Sequence, residues 1–236
     1  MYTTLGASKL PCNRILHGLW QTSGGWGEIK QQPAVDALAA LSKAGFSTFD
    51  GADHYGPSET LLGLAKEALA SGTPPTAFQA FTKWCPQPRA YSPAEVGAAM
   101  AKSLTRMRTP ALDLLQLHWW DYGQRQELQG VLEALHALQA GGKIRELGLT
   151  NFDTTHVVWM VDELKLPIAS NQVQFSLVDS RPLARMAPAC EARGVKLLTY
   201  GTLLGGLLSD KYLGKPEPTK VQLSTPSLGK YYNVRV

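Results

Sequence analysis

Apolar residues recur along this chain in two alternating rhythms: short runs of strand length, and longer stretches spaced three and four apart. Residues 4–13 and 15–21 give two short runs. The first reads as a hairpin or cover, and the second, with Ile15, Leu16, Leu19 and Trp20, as a first strand. Gln32 and Pro33 then open a helix on Val35, Leu38 and Leu41 that Gly45 ends, because Pro suits the first helical position and Gly the place after the last. Residues 46–50 form the next strand. A helix over 57–70 on Leu61, Leu64, Ala65, Ala68 and Leu69 is stopped by residues 71–75, and a strand follows at 78–83. Ser92, Pro93 and Glu95 combine a capping box with Pro at the first position, ahead of a buried face of Val96, Ala99, Met100, Leu104 and Met107. A strand at 112–118, a helix on Leu128 to Leu138 ended by Gly141 and Gly142, a strand at 144–150 and a helix near 154–164 continue the rhythm. A strand at 170–174, a helix near 182–193 and a strand at 196–200 complete it.

Strands separated by helical crossovers pair in parallel, and seven of them in one chain favour a barrel over a doubly wound sheet. After Tyr200 the alternation stops: residues 201–236 carry Gly205-Gly206, Pro216, Pro218 and Pro226 and no further strand and helix. The expectation is a single α/β domain over residues 1–236, a TIM-type (β/α)8 barrel that is C-terminally incomplete. Seven repeats are visible, the eighth strand and C-terminal helices are lacking, and the first and seventh strands are left as unpaired edges.

Composition adds limits. With 44% hydrophobic and 18% charged residues the chain is globular, and no apolar run reaches the roughly 18 residues of a membrane helix. No basic-then-apolar leader opens it, so a cytoplasmic protein is expected. Cys12, Cys85 and Cys190 are scattered, without ligand spacing, and read as reduced thiols; no metal site is assigned. A net charge of +4 without a basic block excludes a nucleic-acid or membrane stripe and leaves a small-molecule partner.

The chemistry concentrates where strands end. Asp50 closes one run and Tyr55 follows five residues later, while Lys83 and His118 close the next two runs, as they do when successive strands deliver side chains to the active face of a barrel. Singly, each has a plainer account: a turn former, a half-buried aromatic, a solvated strand end, a core histidine. Jointly they suit carbonyl reduction. A free phenol has a pKa of about 10, so Tyr55 needs an adjacent ammonium, Lys83, to lower it, and Asp50 to hold that ammonium. His118 would donate a hydrogen bond to the carbonyl oxygen. Trp20, Trp84, Trp119, Trp120 and Tyr122 follow strands and either line a substrate mouth or pack between barrel and helices.

The stretch from Phe49 to Gly56, Lys83 after Phe81-Thr82, and His118 within Gln116-Leu117-His118-Trp119 resemble the aldo-keto reductase superfamily. So do Gly148 to Phe152, Asn171-Gln172-Val173 and Tyr200 to Leu208. The resemblance implies reduction of an aldehyde or ketone by NADP(H), with NAD(H) not excluded, and with Tyr55 as proton donor. It further implies that Asn151 and Gln172 hold the nicotinamide carboxamide, that Tyr200 stacks on the ring, and that Gly201 and Leu203 approach the pyrophosphate. Gly201-Thr202 stand where relatives usually have Ser and Pro, and nothing after Gly206 matches the family's 2′-phosphate grip. A catalytically weak form acting as a cofactor-binding or regulatory subunit is the alternative.

Overall fold

The computed structural model describes residues 2–71, 77–219 and 222–232. Among them, seven parallel strands follow one another around a curled sheet: β3 (His17–Gly18), β4 (Thr48–Asp50), β5 (Gln79–Trp84), β6 (Leu112–Leu117), β7 (Ile144–Thr150), β8 (Ile168–Gln174) and β9 (Lys196–Tyr200). Each pairs only with its sequence neighbours, so β3 and β9 are the two edges, as the pattern predicts. Helices α1 (Gln31–Lys43), α2 (Ser58–Ala70), α3 (Pro93–Arg106) and α4 (Arg125–Ala140) return the chain from one strand to the next. A leading antiparallel hairpin, β1 (Tyr2–Leu5) and β2 (Leu10–Asn13), floors the barrel. Its Leu5, Leu10 and Cys12 pack against the inward-facing Phe81, Leu114 and Leu198. Glu146 of β7 meets it from inside, accepting from the Ser8 N–H at 2.6 Å.

Two hydrophobic layers result from strand alternation. Phe49, Leu115, Leu117, Leu147 and Leu149 face outward to the helices, with Leu62, Val96, Met100, Val131 and Leu135 opposite them. Inward positions of the same strands run from apolar at the hairpin end, Phe81 and Leu114, to polar at the other, Lys83 and Gln116, both fully buried. That polarity gradient is what positions the site.

Most boundaries fall where periodicity sets them, and the departures have local causes. Ser92 accepts from the Glu95 N–H at 3.3 Å while Glu95 accepts from the Ser92 N–H at 2.8 Å, so the expected capping box forms. α1 starts one residue earlier than expected, with Pro33 still inside the first turn, where no helical N–H is needed. The helix near 182–193 breaks into α6 (Arg181–Ala184) and α7 (Met186–Glu191) at Arg185, because Pro188 has no N–H for the Ala184 carbonyl four residues back. The helix near 154–164 is α5 (Thr154–Val158) continued by a wider π turn over Trp159–Glu163. α2 ends at Ala70; the stop signal at 72–75 lies outside the described residues. Beyond Tyr200 the described residues hold a 3-10 turn, Leu204–Gly206, and one short helix, α8 (Pro226–Tyr232). No described helix is long and apolar enough to cross a membrane.

Candidate active site

The stagger of strands around the barrel brings residues of different register into one layer. Asp50 is the register partner of Phe81, yet its carboxylate meets Lys83, two residues further along β5. The Lys83 ammonium is 1% exposed, paired with Asp50 Oδ2, and also donates to the Gly51 carbonyl at 3.0 Å. Burying a charge this deeply requires a partner and further hydrogen bonds, and both are present. Gln116 Nε2 donates to Asp50 Oδ1 at 2.7 Å, and Gln172 Nε2 donates to Asp50 Oδ2 at 3.1 Å and to Gln116 Oε1 at 2.9 Å. Four side chains from β4, β5, β6 and β8 thus form one polar layer.

Tyr55 sits directly above. Its loop is pinned by Thr22 Oγ1, which donates to the Tyr55 carbonyl at 2.7 Å, and by Gly56 at φ +52°, where a Cβ would come within 2.5 Å of the Thr22 carbonyl oxygen. The Lys83 ammonium lies 5.1 Å from the centre of the Tyr55 ring. Here the expectation needs correction. Burial first, and the Asp50 carboxylate second, push the phenol well above its ordinary range instead of lowering it.

His118 continues the inward face of β6 beyond Gln116. Burial, then the charges of His54 and Lys83, lower its pKa to about 4, so the ring is neutral near pH 7. Its Nε2 lies 3.3 Å from Asn151 Nδ2, and the Trp120 indole packs on it with centroids 4.3 Å apart. Asn151 occupies the left-handed region at φ +61°, which Asn tolerates better than most residues. It receives hydrogen bonds from Tyr200 Oη at 2.9 Å and, on its carbonyl, from Tyr122 Oη at 2.7 Å. Asp50, Tyr55, Lys83, His118, Asn151, Gln172 and Tyr200 therefore surround one mouth.

The tryptophans divide. Trp20 stands at the mouth, but Trp84 and Trp119 do not: each follows an inward residue, Lys83 or His118, so alternation turns it outward into the helix-facing core. Trp84 packs on Tyr91 at 5.5 Å and Trp119 Nε1 donates to the Asp121 carbonyl at 2.6 Å. Trp120, 65% exposed, is the indole beside the site. Leu203 is exposed, and Gly201 at φ +72° leaves room that the Tyr231 ring takes, since a Cβ there would lie 2.5 Å from it.

Two features escaped sequence reasoning. Gln116 was legible as a lone amide two residues before His118 on an otherwise apolar strand. Lys230 of α8 carried no signal, yet its ammonium lies 4.7 Å from the Trp20 ring centre and 4.9 Å from that of Tyr200.

The residues at the mouth fit the nicotinamide group that the resemblance implies. Thr150 Oγ1, on the same strand face as Glu146 and Gly148, is buried without a partner among the described residues. Gln172 gives both its N–H groups to protein acceptors and keeps its carbonyl oxygen for an incoming amide. A hydroxyl, an amide carbonyl and the Tyr200 face suit a carboxamide-bearing ring, although Lys230 now occupies that face.

Known proteins share this sequence pattern and fold. The chain is 31% identical over 220 residues to the chloroplastic pyridoxal reductase of Arabidopsis thaliana, covering 88% of this chain and 58% of that protein. It is 24% identical over 223 residues to the NADH-specific methylglyoxal reductase of Escherichia coli, covering 87% and 68%. It thus spans under two thirds of the length of the first. The structure superimposes on an aldo/keto reductase from Klebsiella pneumoniae, solved in complex with NADP and acetate, with a TM-score of 0.72, 27% identity and coverage of 88% and 71%. The aldo/keto reductase family profile matches residues 14–231, and by that match, on the strand order that carries the polar layer, the chain belongs to the aldo/keto reductase family.

Proposed function

We propose that this chain carries a site that reduces an aldehyde or ketone to an alcohol by hydride transfer from NADP(H), with Tyr55 as the proton donor. The observation that carries the reading is the buried Lys83–Asp50 pair beneath the Tyr55 ring, with His118 at the same mouth. Likeness to the NADP-bound Klebsiella protein supports NADP(H); the NADH-specific Escherichia coli relative makes NAD(H) the competitor to test.

Thr150, Asn151, Gln172 and Tyr200 would hold the nicotinamide, and that group supplies the hydride when bound. The remaining work belongs to the chain. The Tyr55 phenol, its pKa raised by burial, is protonated at neutral pH, as a donor must be. An alkoxide is a stronger base than a phenolate, so proton transfer from Tyr55 to the carbonyl oxygen runs downhill as that oxygen gains charge. The Lys83 ammonium below the ring then offsets the charge left on the phenolate, and Asp50 keeps the ammonium in place. Neutral His118, fixed between Asn151 and Trp120, borders the carbonyl without adding charge. Gly201 and Leu203 lie on the segment that would approach the pyrophosphate.

A second reading, a cofactor-binding or regulatory subunit with little turnover, is favoured by Lys230 on the Tyr200 face and Tyr231 against Gly201. Titrating NADPH and NADH into the protein while following tryptophan fluorescence, alongside turnover of short aldehydes and ketones, separates the two. Saturable quenching with turnover supports reduction. Quenching without turnover supports the subunit, and neither signal overturns both.

A further inference from the structure

We propose that Gln116 is a positioning residue for the proposed reduction: its amide fixes the Asp50 carboxylate and the Gln172 side chain, and through them the place of the Lys83 ammonium beneath Tyr55. The inference rests on the carbonyl-reducing reading.

On β6 the inward positions are Leu114, Gln116 and His118, so the apolar interior ends at Leu114 and Gln116 is the first polar group above it. Gln116 is fully buried. Its stem passes beside Gly148, where an added Cβ would come 3.1 Å from Gln116 Cγ, and an amide buried there is tolerated only if its N–H and C=O are satisfied. The partners it finds belong to the site. Nε2 donates to Asp50 Oδ1 at 2.7 Å, with the Thr82 carbonyl more distant at 3.4 Å, and Oε1 accepts from Gln172 at 2.9 Å.

The division of labour on Asp50 shows what the amide contributes. Oδ2 takes Lys83 and Gln172, whereas Gln116 is the described donor to Oδ1. A carboxylate held at one oxygen pivots; one held at both has a fixed plane. With that plane fixed and Gly51 C=O as a further acceptor, the Lys83 ammonium has a single position. Gln116 also orients Gln172, leaving its carbonyl oxygen free toward the mouth. Hydrogen bonds to a charged acceptor are the stronger kind, and a fully satisfied buried network is rigid.

The test compares wild type, Gln116→Leu and Gln116→Glu for kcat, KM, cofactor affinity and melting temperature across pH. Gln116→Leu keeps the volume and removes the donor. Its kcat is expected to fall roughly 5- to 100-fold, the loss that one missing buried donor to a carboxylate corresponds to, with a smaller loss of cofactor affinity through the released Gln172. Gln116→Glu keeps the shape and makes the donor conditional. The titratable groups around the introduced carboxyl are Asp50 from β4 and Lys83 from β5, with Tyr55 and His118 above and Glu146 of β7 toward the hairpin, two residues before Gly148 on the same face; β8 presents Ser170 and Gln172. Protonated, the carboxyl can donate to Asp50 Oδ1; ionised, it opposes Asp50. Relative to wild type, both its kcat deficit and its melting deficit should therefore shrink as pH falls from about 8 toward 5.5.

Wild-type kcat in Gln116→Leu overturns the positioning role, and so does a Gln116→Glu deficit that is flat with pH, which a purely space-filling role predicts. Should Gln116→Leu fail to fold, the pH profile of Gln116→Glu decides. A wild-type protein that reduces no carbonyl overturns the functional reading instead, while the melting profile of Gln116→Glu still decides whether position 116 holds Asp50.

Discussion

The closed flank of the barrel and its seam are made of the same kind of strand, yet they differ in what closes them. From β4 through β8 each strand finds neighbours on both sides, and the inward tips of Asp50, Lys83, Gln116 and Gln172 satisfy one another in a buried layer. Between β3 and β9 the described residues form no ladder. A cleft of about 640 Å³ separates them, lined by Arg14, Ile15, Gly18, Leu198 and Tyr200 and reaching Asp50 and Gln172. Side-chain chemistry is thus fully organised on the flank, whereas the mouth above the seam is covered by α8, through Lys230 and Tyr231. The geometry of the polar layer depends on strand stagger within the closed flank, and access to it depends on what lies over the open one.

The contrast breaks most visibly at the ion pair. Removing one partner of a buried pair typically costs roughly 3–5 kcal/mol, so Lys83→Met and Asp50→Asn should each lower the melting temperature markedly and abolish most turnover. Their effects should not add, because both act on one unit; a double mutant as impaired as the product of the singles would separate the two residues. Melting curves and kcat of the three variants measure this.

A smaller effect is expected over the seam. If the Lys230 ammonium stands where a ring would stack on Tyr200, Lys230→Ala should tighten nicotinamide-cofactor binding by about 2- to 5-fold, the equivalent of one lost cation–π contact. Fluorescence titration reads it, and weaker binding would mean that Lys230 helps to hold the cofactor.

These two regions were also unequally legible. Asp50, Tyr55, Lys83 and His118 could be read because strand ends are marked by the switch from apolar run to turn, and a parallel barrel sends those ends to one face. Parity within a strand was harder: Trp84 and Trp119 directly follow inward residues, and that step of one position sends them to the helix layer. Gln116 was missed although its spacing from His118 placed it inward. The direction of the Tyr55 shift was misread because sequence shows that a lysine is near but not how deeply the phenol is buried beside the Asp50 carboxylate. Residues 201–232, rich in Gly and Pro, have no periodicity, so nothing in them announced that Lys230 and Tyr231 cover the mouth.

The smallest effect concerns pH. His118 has a folded pKa lowered to about 4, below the ordinary value of about 6.5, so the unfolded chain binds more protons between those values. Its contribution to stability is present above about pH 6.5 and is lost as pH falls toward 4. His118→Gln should flatten that part of the stability–pH curve, and an unchanged slope by denaturant titration would place His118 in a more solvated setting.

The central claim is that Tyr55, over the Lys83–Asp50 pair, supplies the proton while a nicotinamide supplies the hydride. Its most direct test follows deuterium from NADPH, labelled at the reactive ring carbon, into the carbinol carbon of an aldehyde product, in wild type and Tyr55→Phe. The account predicts transfer in wild type, a rate lower by about 10²–10⁴-fold in Tyr55→Phe, and cofactor affinity and melting temperature nearly unchanged. Transfer at an undiminished rate in Tyr55→Phe would contradict it.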